Sequence, residues 1–376
     1  MTFTPRIVPP KGPLTAKIAF VGEAPGPPEE ALGEPFVGPQ GRELDILLAN
    51  AKISRAESFM TNVLDTCPPR NDFDLVCLKK GLARAEYLLL RPDLEKQYPQ
   101  FPWPQTYTWP ALKHGGFYLA PKYLGNLVRL KAELDSLKDC NLIVALGGTA
   151  VWALLGLIGI ESSRGYVAQS IISKHKVLPA YHPAHILKNW ENRPILQIDL
   201  LKAKREMAFP EIRRRKRLIY LRPSFDEMED FYQEHLVPAK YISYDIETCR
   251  PDQITCVGFA PNPDVAICIP FVDIFRPGYH YWQEWKDERR AWDFVAKCLQ
   301  LPQPKLAQNG MYDFTWLWMK AGIPVHNMIE DTSHIHHALY PEMRKALGFL
   351  VSIYASEFAW KTMRGHQSYS EEKRDD

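Results

Sequence analysis

Val21-Gly22-Glu23-Ala24-Pro25-Gly26 follows the apolar run Lys17-Ile18-Ala19-Phe20 and continues through Pro35-Phe36-Val37-Gly38-Pro39-Gln40-Gly41-Arg42. The apolar run predicts a buried strand, and Glu43 to Leu48 predicts an amphipathic helix. Strand, glycine-rich loop and helix together form the layout of a ligand site. Glycines let the chain approach closely, so backbone N–H groups and a helix N-terminus can surround an anion or a polar ring. A glycine- and proline-rich loop is also an ordinary turn, and its meaning depends on what the rest of the chain brings to it.

Downstream come Met60-Thr61-Asn62-Val63-Leu64, Cys67-Pro68-Pro69-Arg70-Asn71 and Tyr181-His182-Pro183-Ala184-His185-Ile186-Leu187. In this order the set resembles the uracil-DNA glycosylase superfamily, closest to the family 4 pattern of bacteria and archaea. The resemblance runs from about Ile18 to Leu187. It implies that the GEAPG loop, the PFVG segment, the strand end at Asn62 and the His182 loop build one pocket.

The remainder of this half reads as alternating strand and helix. Asn141 to Leu146 predicts a strand ending in Gly147-Gly148, with Thr149 capping the next helix, and His175 to Ala180 predicts a strand running into His182. Such alternation suits a parallel sheet with helices on both faces, here a three-layer α/β/α domain. Ligands of these sheets sit outside the carboxyl ends of the strands, where the loops at Gly22–Gly26, Asn62 and His182 all fall.

The chain has 376 residues, 46% of them hydrophobic, enough for two domains with their own cores. The expected division is 1–210 for the glycosylase-like domain, with an insertion at about 72–121, then a basic linker at 211–217, then 218–376. The net charge of +2 neither demands nor excludes nucleic acid, but Arg213-Arg214-Arg215-Lys216-Arg217 is a local basic run that either spans solvent or touches phosphates. No charged segment followed by an apolar core opens the chain, and no apolar run approaches a bilayer span, so a soluble, cytoplasmic protein with no membrane partner is expected.

The seven cysteines have no Cys-x-x-Cys spacing, which argues for reduced thiols. The resemblance would bring a four-cysteine iron–sulfur cluster, but residues 1–16 contain no cysteine, and Thr66 stands at the position of a usual ligand, one place before Cys67. No iron–sulfur cluster is therefore expected. The insertion is rich in aromatic residues and proline, as in Tyr98-Pro99-Gln100-Phe101-Pro102-Trp103-Pro104, and either stacks on DNA bases or caps the core.

Cleaving a base from deoxyribose builds negative charge on the departing uracil, which a catalyst must stabilise while supplying water. His182 can donate a hydrogen bond to a uracil carbonyl oxygen. Asn62 carries amide donor and acceptor atoms that match the uracil edge, and Phe36 offers a face for a flipped base. The resemblance places Gly22, Glu23 and Ala24 beside the base and Glu29 at the position of an acidic residue that aids catalysis. Glu23 and Glu29 are both candidates for the water. Pro27-Pro28 departs from the pattern and stiffens the loop ahead of Glu29.

The second half has its own signature. Tyr241 to Thr248 predicts a strand whose alternation puts Asp245 and Glu247 on one face. Ala307-Gln308-Asn309-Gly310-Met311-Tyr312-Asp313 then leads into an apolar helix, Phe314 to Lys320, and Glu330-Asp331-Thr332 and His336-His337-Ala338-Leu339-Tyr340-Pro341 follow. This set resembles the 3′–5′ proofreading exonuclease domain of family A DNA polymerases, a ribonuclease H-like α/β fold. The resemblance implies Asp245, Glu247 and Asp313 as ligands of Mg²⁺ or Mn²⁺, hard cations that prefer oxygen, with Asp331 either joining that metal set from behind or capping the helix that follows, and with Asn309 and Tyr312 at the substrate. His334, His336 and His337 read as a packing helix more than a zinc site.

The third motif of that family, a tyrosine with an aspartate four residues later, is not found: Tyr369 has Lys373 at that spacing. The last carboxylate is lost, or Asp375 or Asp376 substitutes, or a separate family A DNA polymerase polypeptide supplies it, as in a split phage replication gene. The expected function is a DNA-processing enzyme that excises uracil and trims 3′ ends, acting on uracil-containing DNA and 3′ termini. The alternative is a non-catalytic reader of uracil or modified bases that recruits or completes a polymerase.

Overall fold

The computed structural model describes residues 6–99, 101, 117–249, 253–355 and 357. The described residues fall into two compact units, one running to Arg213 and taking in the chain again from Val351, the other Arg214–Leu350.

The first unit is built on β1 (Ile18–Gly22), α1 (Pro27–Leu32), α2 (Gly38–Asn50), β2 (Phe59–Asn62), β3 (Cys77–Lys79), α3 (Lys80–Gln97), β4 (Phe117–Leu119), α4 (Gly125–Asp135), β5 (Leu142–Leu146), α5 (Gly148–Leu155), β6 (Ala168–Gln169), β7 (Lys176–Ala180), α6 (Pro183–Lys188) and α7 (Arg193–Glu206). The main sheet has the order β2-β1-β5-β7-β6, parallel except for β6. Every residue of β1, β2, β5 and β7 is buried, as expected of parallel strands covered on both faces. Ala19 and Val21 face a core built with Leu127, Leu130 and Leu134 of α4 and Val151 of α5. The alternate residues Ile18 and Phe20 face the other way, and α7 packs against β5 and β7.

The chain runs from β1 to β2 on one side of the sheet and returns to place β5 on the other. The crevice beyond the carboxyl ends of β1 and β5 is therefore a topological switch point. Within the insertion, β3 and β4 pair as a small antiparallel sheet with α3. Tyr98 packs against the core and Phe101 is buried in it, so this part of the aromatic segment caps the core; Trp103 lies outside the described residues.

The second unit contains β8 (Leu218–Tyr220), α8 (Phe225–Phe231), β9 (Ile242–Cys249), β10 (Gln253–Asn262), β11 (Val265–Pro270), α9 (Trp285–Leu299), β12 (Lys305–Ala307), α10 (Gly310–Trp316), β13 (Met328–Asp331), α11 (Thr332–Leu339) and the start of α12 (Leu347–Tyr354). Its sheet order is β13-β12-β9-β10-β11-β8. β9, β10 and β11 are antiparallel, whereas β12 and β13 continue parallel from β9. Three antiparallel strands followed by two parallel ones, with β9 central, is the ribonuclease H-like arrangement. Beyond α10, Leu317–Ala321 form a π-helical turn.

The tail departs from the expected division. Residues 351–355 belong to the first unit: the Lys202 ammonium donates to the carbonyls of Gly165, Ser352 and Ala355 at 2.9, 2.7 and 2.8 Å. The basic run is largely matched by neighbours. Arg213 pairs with Glu211 at 2.6 Å, Arg215 with Asp264 at 2.7 Å, and Arg217 donates to the Pro263 carbonyl at 2.8 Å.

Candidate functional site

At the end of β1, Gly22 lies in register with Asn62 of β2. A Cβ on Gly22 would stand 2.3 Å from the Asn62 Oδ1 and 2.8 Å from the Phe36 Cζ, so only glycine lets amide and ring close over this spot. Phe36 and Asn62 are buried, at 2% and 5% exposure. The ring centroids of Phe36 and His182 are 6.2 Å apart. Gly22, Phe36, Asn62 and His182 therefore surround one crevice.

Phe36 adopts φ of 54°, a left-handed conformation unfavourable for a bulky residue, and its surroundings hold it there. Its N–H donates to the Glu29 Oε1 and its carbonyl accepts from Arg55 at 2.9 Å. Gly41, in the first turns of α2, permits the close pass: a Cβ there would fall 1.9 Å from the Phe36 carbonyl oxygen.

Glu29 is 3% exposed, and its second oxygen accepts from the Gly26 N–H at 2.5 Å. Pro27 and Pro28 are the first residues of α1, which makes Glu29 the third and aims it back at Gly26 as a capping box. Burial raises its pKa, opposed by the amides of Gly26, Phe36 and Val37 and by Arg55. Both oxygens of Glu29 are thus committed to the loop's own backbone.

Glu23 follows Gly22 and accepts a hydrogen bond from the Thr149 hydroxyl, which spans the switch point from β1 to β5. The expected capping role of Thr149 is corrected here. Gly147, with φ of 89°, is the cap of α5, and Thr149 is free to reach Glu23. Ala24 packs against the core.

His182 caps α6, its Nδ1 accepting from the Ala184 N–H at 3.1 Å. Burial, with His185 nearby, lowers its pKa to about 4. The imidazole is therefore neutral at pH 7, and with Nδ1 accepting, its proton sits on Nε2.

In the second unit Asp245 and Glu247 lie on one face of β9, while Tyr244 and Ile246, which alternate with them, are buried on the other. Asp313 of α10 is buried, and its Oδ1 accepts from the Ile246 N–H at 2.9 Å. Burial and the charges of Asp313 and Glu247 raise the pKa of Asp245 to about 6, so the three carboxylates feel one another.

Asp331 is committed elsewhere. It caps α11 through Ser333 at 2.8 Å and accepts the Asn309 and Gly310 amides at the start of α10, at 3.2 and 2.8 Å. Burial works against its charge, but the Ser333 hydroxyl and these amides outweigh it and hold the carboxyl at about 2. Asn309 is left-handed, with φ of 59°, and the Tyr312 hydroxyl is 2.7 Å from that of Thr248.

The oxygen donor set suits a hard divalent cation, and mutual repulsion at Asp245 is what a cation would relieve. Yet among the described residues no group of three or more His, Cys, Asp or Glu side chains is placed to hold a metal ion. Asp331 serves two helix N-termini, and Asp313 gives one oxygen to the Ile246 N–H while remaining close enough to act on Asp245. Tyr369, Lys373, Asp375 and Asp376, the candidates around the third motif, lie outside the described residues. His336 is buried between the rings of Tyr340 and Phe349, a packing residue. All seven cysteines are free thiols.

Residues 9–208 match the family model of the Uracil DNA glycosylase superfamily, which is more than half of the chain. The chain belongs to that superfamily. Type-4 uracil-DNA glycosylases are similar to it: that of Archaeoglobus fulgidus is 28% identical over 202 residues, covering 52% of this chain and 79% of the relative. That of Thermotoga maritima is 29% identical over 198 residues, with the same coverage.

Among solved structures, the Aedes aegypti Nibbler EXO domain has 14% identity and a TM-score of 0.30, covering 43% of this chain and 82% of that one. Escherichia coli RNase D, an exoribonuclease involved in structured RNA processing, has 14% identity and a TM-score of 0.26, covering 37% and 34%. The architecture of the second unit stands on its own strand order.

Within the glycosylase unit, sequence motifs located Gly22, Phe36, Asn62 and His182, which converge. They did not reveal Thr149 as the partner of Glu23, nor Arg55 and Gly41 as what holds Phe36. Thr149 lies 126 positions from Glu23, and no local pattern marks that pairing.

Among the described residues no helix is long and apolar enough to cross a membrane.

Proposed function

We propose that the glycosylase unit excises uracil from DNA. The observation that carries this reading is the closure of the Asn62 amide and the Phe36 ring over Gly22, facing a neutral His182. A flipped base stacks on Phe36 and presents its edge to Asn62, whose donor and acceptor discriminate uracil from cytosine. The Nε2–H of His182 donates to the carbonyl oxygen on which charge develops as the glycosidic bond breaks. A neutral donor suits a leaving anion because it stabilises the charge without protonating it.

Glu23, held by Thr149, sits beside the base and is the carboxylate for the water. Glu29 is a positioning residue, acting through Phe36 and Gly26. The test is 5′-labelled single-stranded DNA with one uracil, incubated in EDTA and then treated with alkali. Strand cleavage at the uracil is the expected result; intact strands with binding retained would move this unit to a reader of bases.

We infer for the second unit a 3′–5′ exonuclease, supported by the ribonuclease H-like strand order and by Asp245, Glu247 and Asp313 meeting at β9. Proofreading beside a separate polymerase is the fuller form of this reading.

Asp245→Asn separates charge from fold. Asp245 has a folded pKa raised to about 6, so its contribution to stability is present below the ordinary carboxylate pKa and is lost as pH rises through 6. Removing the charge should stabilise this unit at pH 7 by about 1 kcal/mol after solvent screening, with the gain shrinking toward pH 4, and should abolish 3′ trimming in Mg²⁺. Chemical denaturation at both pH values and a 3′-end assay measure this. A variant that trims normally would end the exonuclease reading.

A further inference from the structure

A cavity of about 510 Å³ in the second unit is lined by Ile254, Phe271, Trp285, Trp292, Arg289 and Lys320, with the Glu288 carboxylate among them, 3.5 Å from the His280 ring. The rings of Phe271 and Trp292 stack at 3.8 Å and 15°, giving a fixed flat wall. Trp285, at the start of α9, is 66% exposed, so the core has no use for most of its indole. Among the described residues Arg289 pairs with the distant Asp293 at 4.0 Å, both side chains facing solvent, a pair too weak to hold it. Gln253, also in the lining, brings an amide with both donor and acceptor.

A flat aromatic wall, a solvent-facing indole, an amide and two cations set against one carboxylate match the parts of a nucleotide. The base stacks on a π-face and the phosphate meets the cations, and the volume lies within the range of small-ligand sites. The cavity adjoins the carboxylate-bearing strand: Ile254 is the ladder partner of Thr248, the residue after Glu247.

We propose that this cavity is a subsite for one nucleotide of single-stranded DNA, its base stacked on Trp285 and its phosphate met by Arg289 and Lys320. The subsite extends the nuclease reading of this unit, but its test does not depend on trimming.

The full chain, in EDTA, is irradiated with a short uracil-free thymidine oligonucleotide carrying one 4-thiothymidine, and separately with 4-thiothymidine 5′-monophosphate. Crosslinked peptides are mapped by mass spectrometry. The oligonucleotide should label the segment around Trp285 to Trp292, and Trp285→Ala should cut that labelling about 10-fold, while uracil excision by the same preparation stays unchanged. Labelling by the oligonucleotide alone supports a strand subsite; labelling by both probes supports a nucleotide site that also takes the free monophosphate. Labelling confined to the glycosylase unit, or undiminished by Trp285→Ala, overturns the proposal. Labelling without trimming in Mg²⁺ would remove the nuclease reading and leave the subsite standing.

Discussion

His182→Ala should lower the turnover of uracil excision by about 10²–10³-fold, the usual effect of removing one donor from a developing oxyanion, while affinity for uracil-containing DNA changes little. The asymmetry follows from when the hydrogen bond matters. A uracil carbonyl in the intact nucleotide is a weak acceptor, and the same oxygen in the transition state carries much of the leaving charge. An interaction that strengthens along the reaction appears in kcat rather than in binding. Single-turnover excision from a 5′-labelled strand in EDTA, beside a binding titration, separates the two. Equal losses in affinity and in rate would make His182 a binding residue only.

The pH profile gives the same idea a second test. An ordinary histidine would change charge near 6.5, but burial and His185 bring His182 to about 4. The neutral donor therefore persists through mildly acidic solution, and excision should show no inflection near 6.5 attributable to this residue. For stability the sign is that of a depressed group. The contribution of His182 is complete above pH 6.5 and is lost as pH falls through 4, where protonation at Nδ1 would also break the bond from Ala184.

Why the site was legible while its supports were not has a physical explanation. Gly22, Phe36, Asn62 and His182 each sit in a short run next to a strand end, and a parallel sheet delivers such ends to one edge whatever the helices do. The supports depend on distances that only the folded chain creates. Glu29 reads from sequence as a candidate for the water because an acidic residue before a Pro-Phe loop has no label saying where its oxygens point. Two prolines at the start of α1 make it the third helical residue, and from there it can reach Gly26 and Phe36. Asp331 was open between metal ligand and helix cap. The missing information was that the start of α10 lies beside it in space, so that one carboxylate serves two helices.

The tail was assigned to the second unit because sequence order is the only guide to membership until packing is known. Ser352 meets Arg164, 188 positions away, through a hydrogen bond from the guanidinium.

That buried cluster carries the largest expected effect on stability. Arg164 and Asp199 are 2% and 0% exposed and paired at 2.7 Å, with Lys202 beside them at 1%. Removing Arg164 leaves the buried Asp199 carboxylate without its hydrogen-bonded cation, and the nearby Lys202, already donating to three carbonyls, offsets its charge only in part. Arg164→Met should therefore destabilise the glycosylase unit by about 3–5 kcal/mol, a fall in melting temperature on the order of 10 °C for a unit of this size. The effect should depend on pH in a stated direction. Burial raises the pKa of Asp199, and without Arg164 that rise goes unopposed by its main partner, so folding stability is retained at low pH and lost as pH rises.

The deficit should be smaller at pH 4.5 than at pH 7, and Arg164→Met with Asp199→Leu should recover much of it, because the double variant removes the uncompensated carboxylate and leaves Lys202 on its three carbonyls. A loss under about 1 kcal/mol for the single variant, or no rescue by the double, would show that the pair is not what holds α7 in place. The consequence reaches the site through the sheet. α7 packs on β5 and β7, whose carboxyl ends lead to Thr149 and His182, so loosening it should reduce excision at temperatures well below the melting transition.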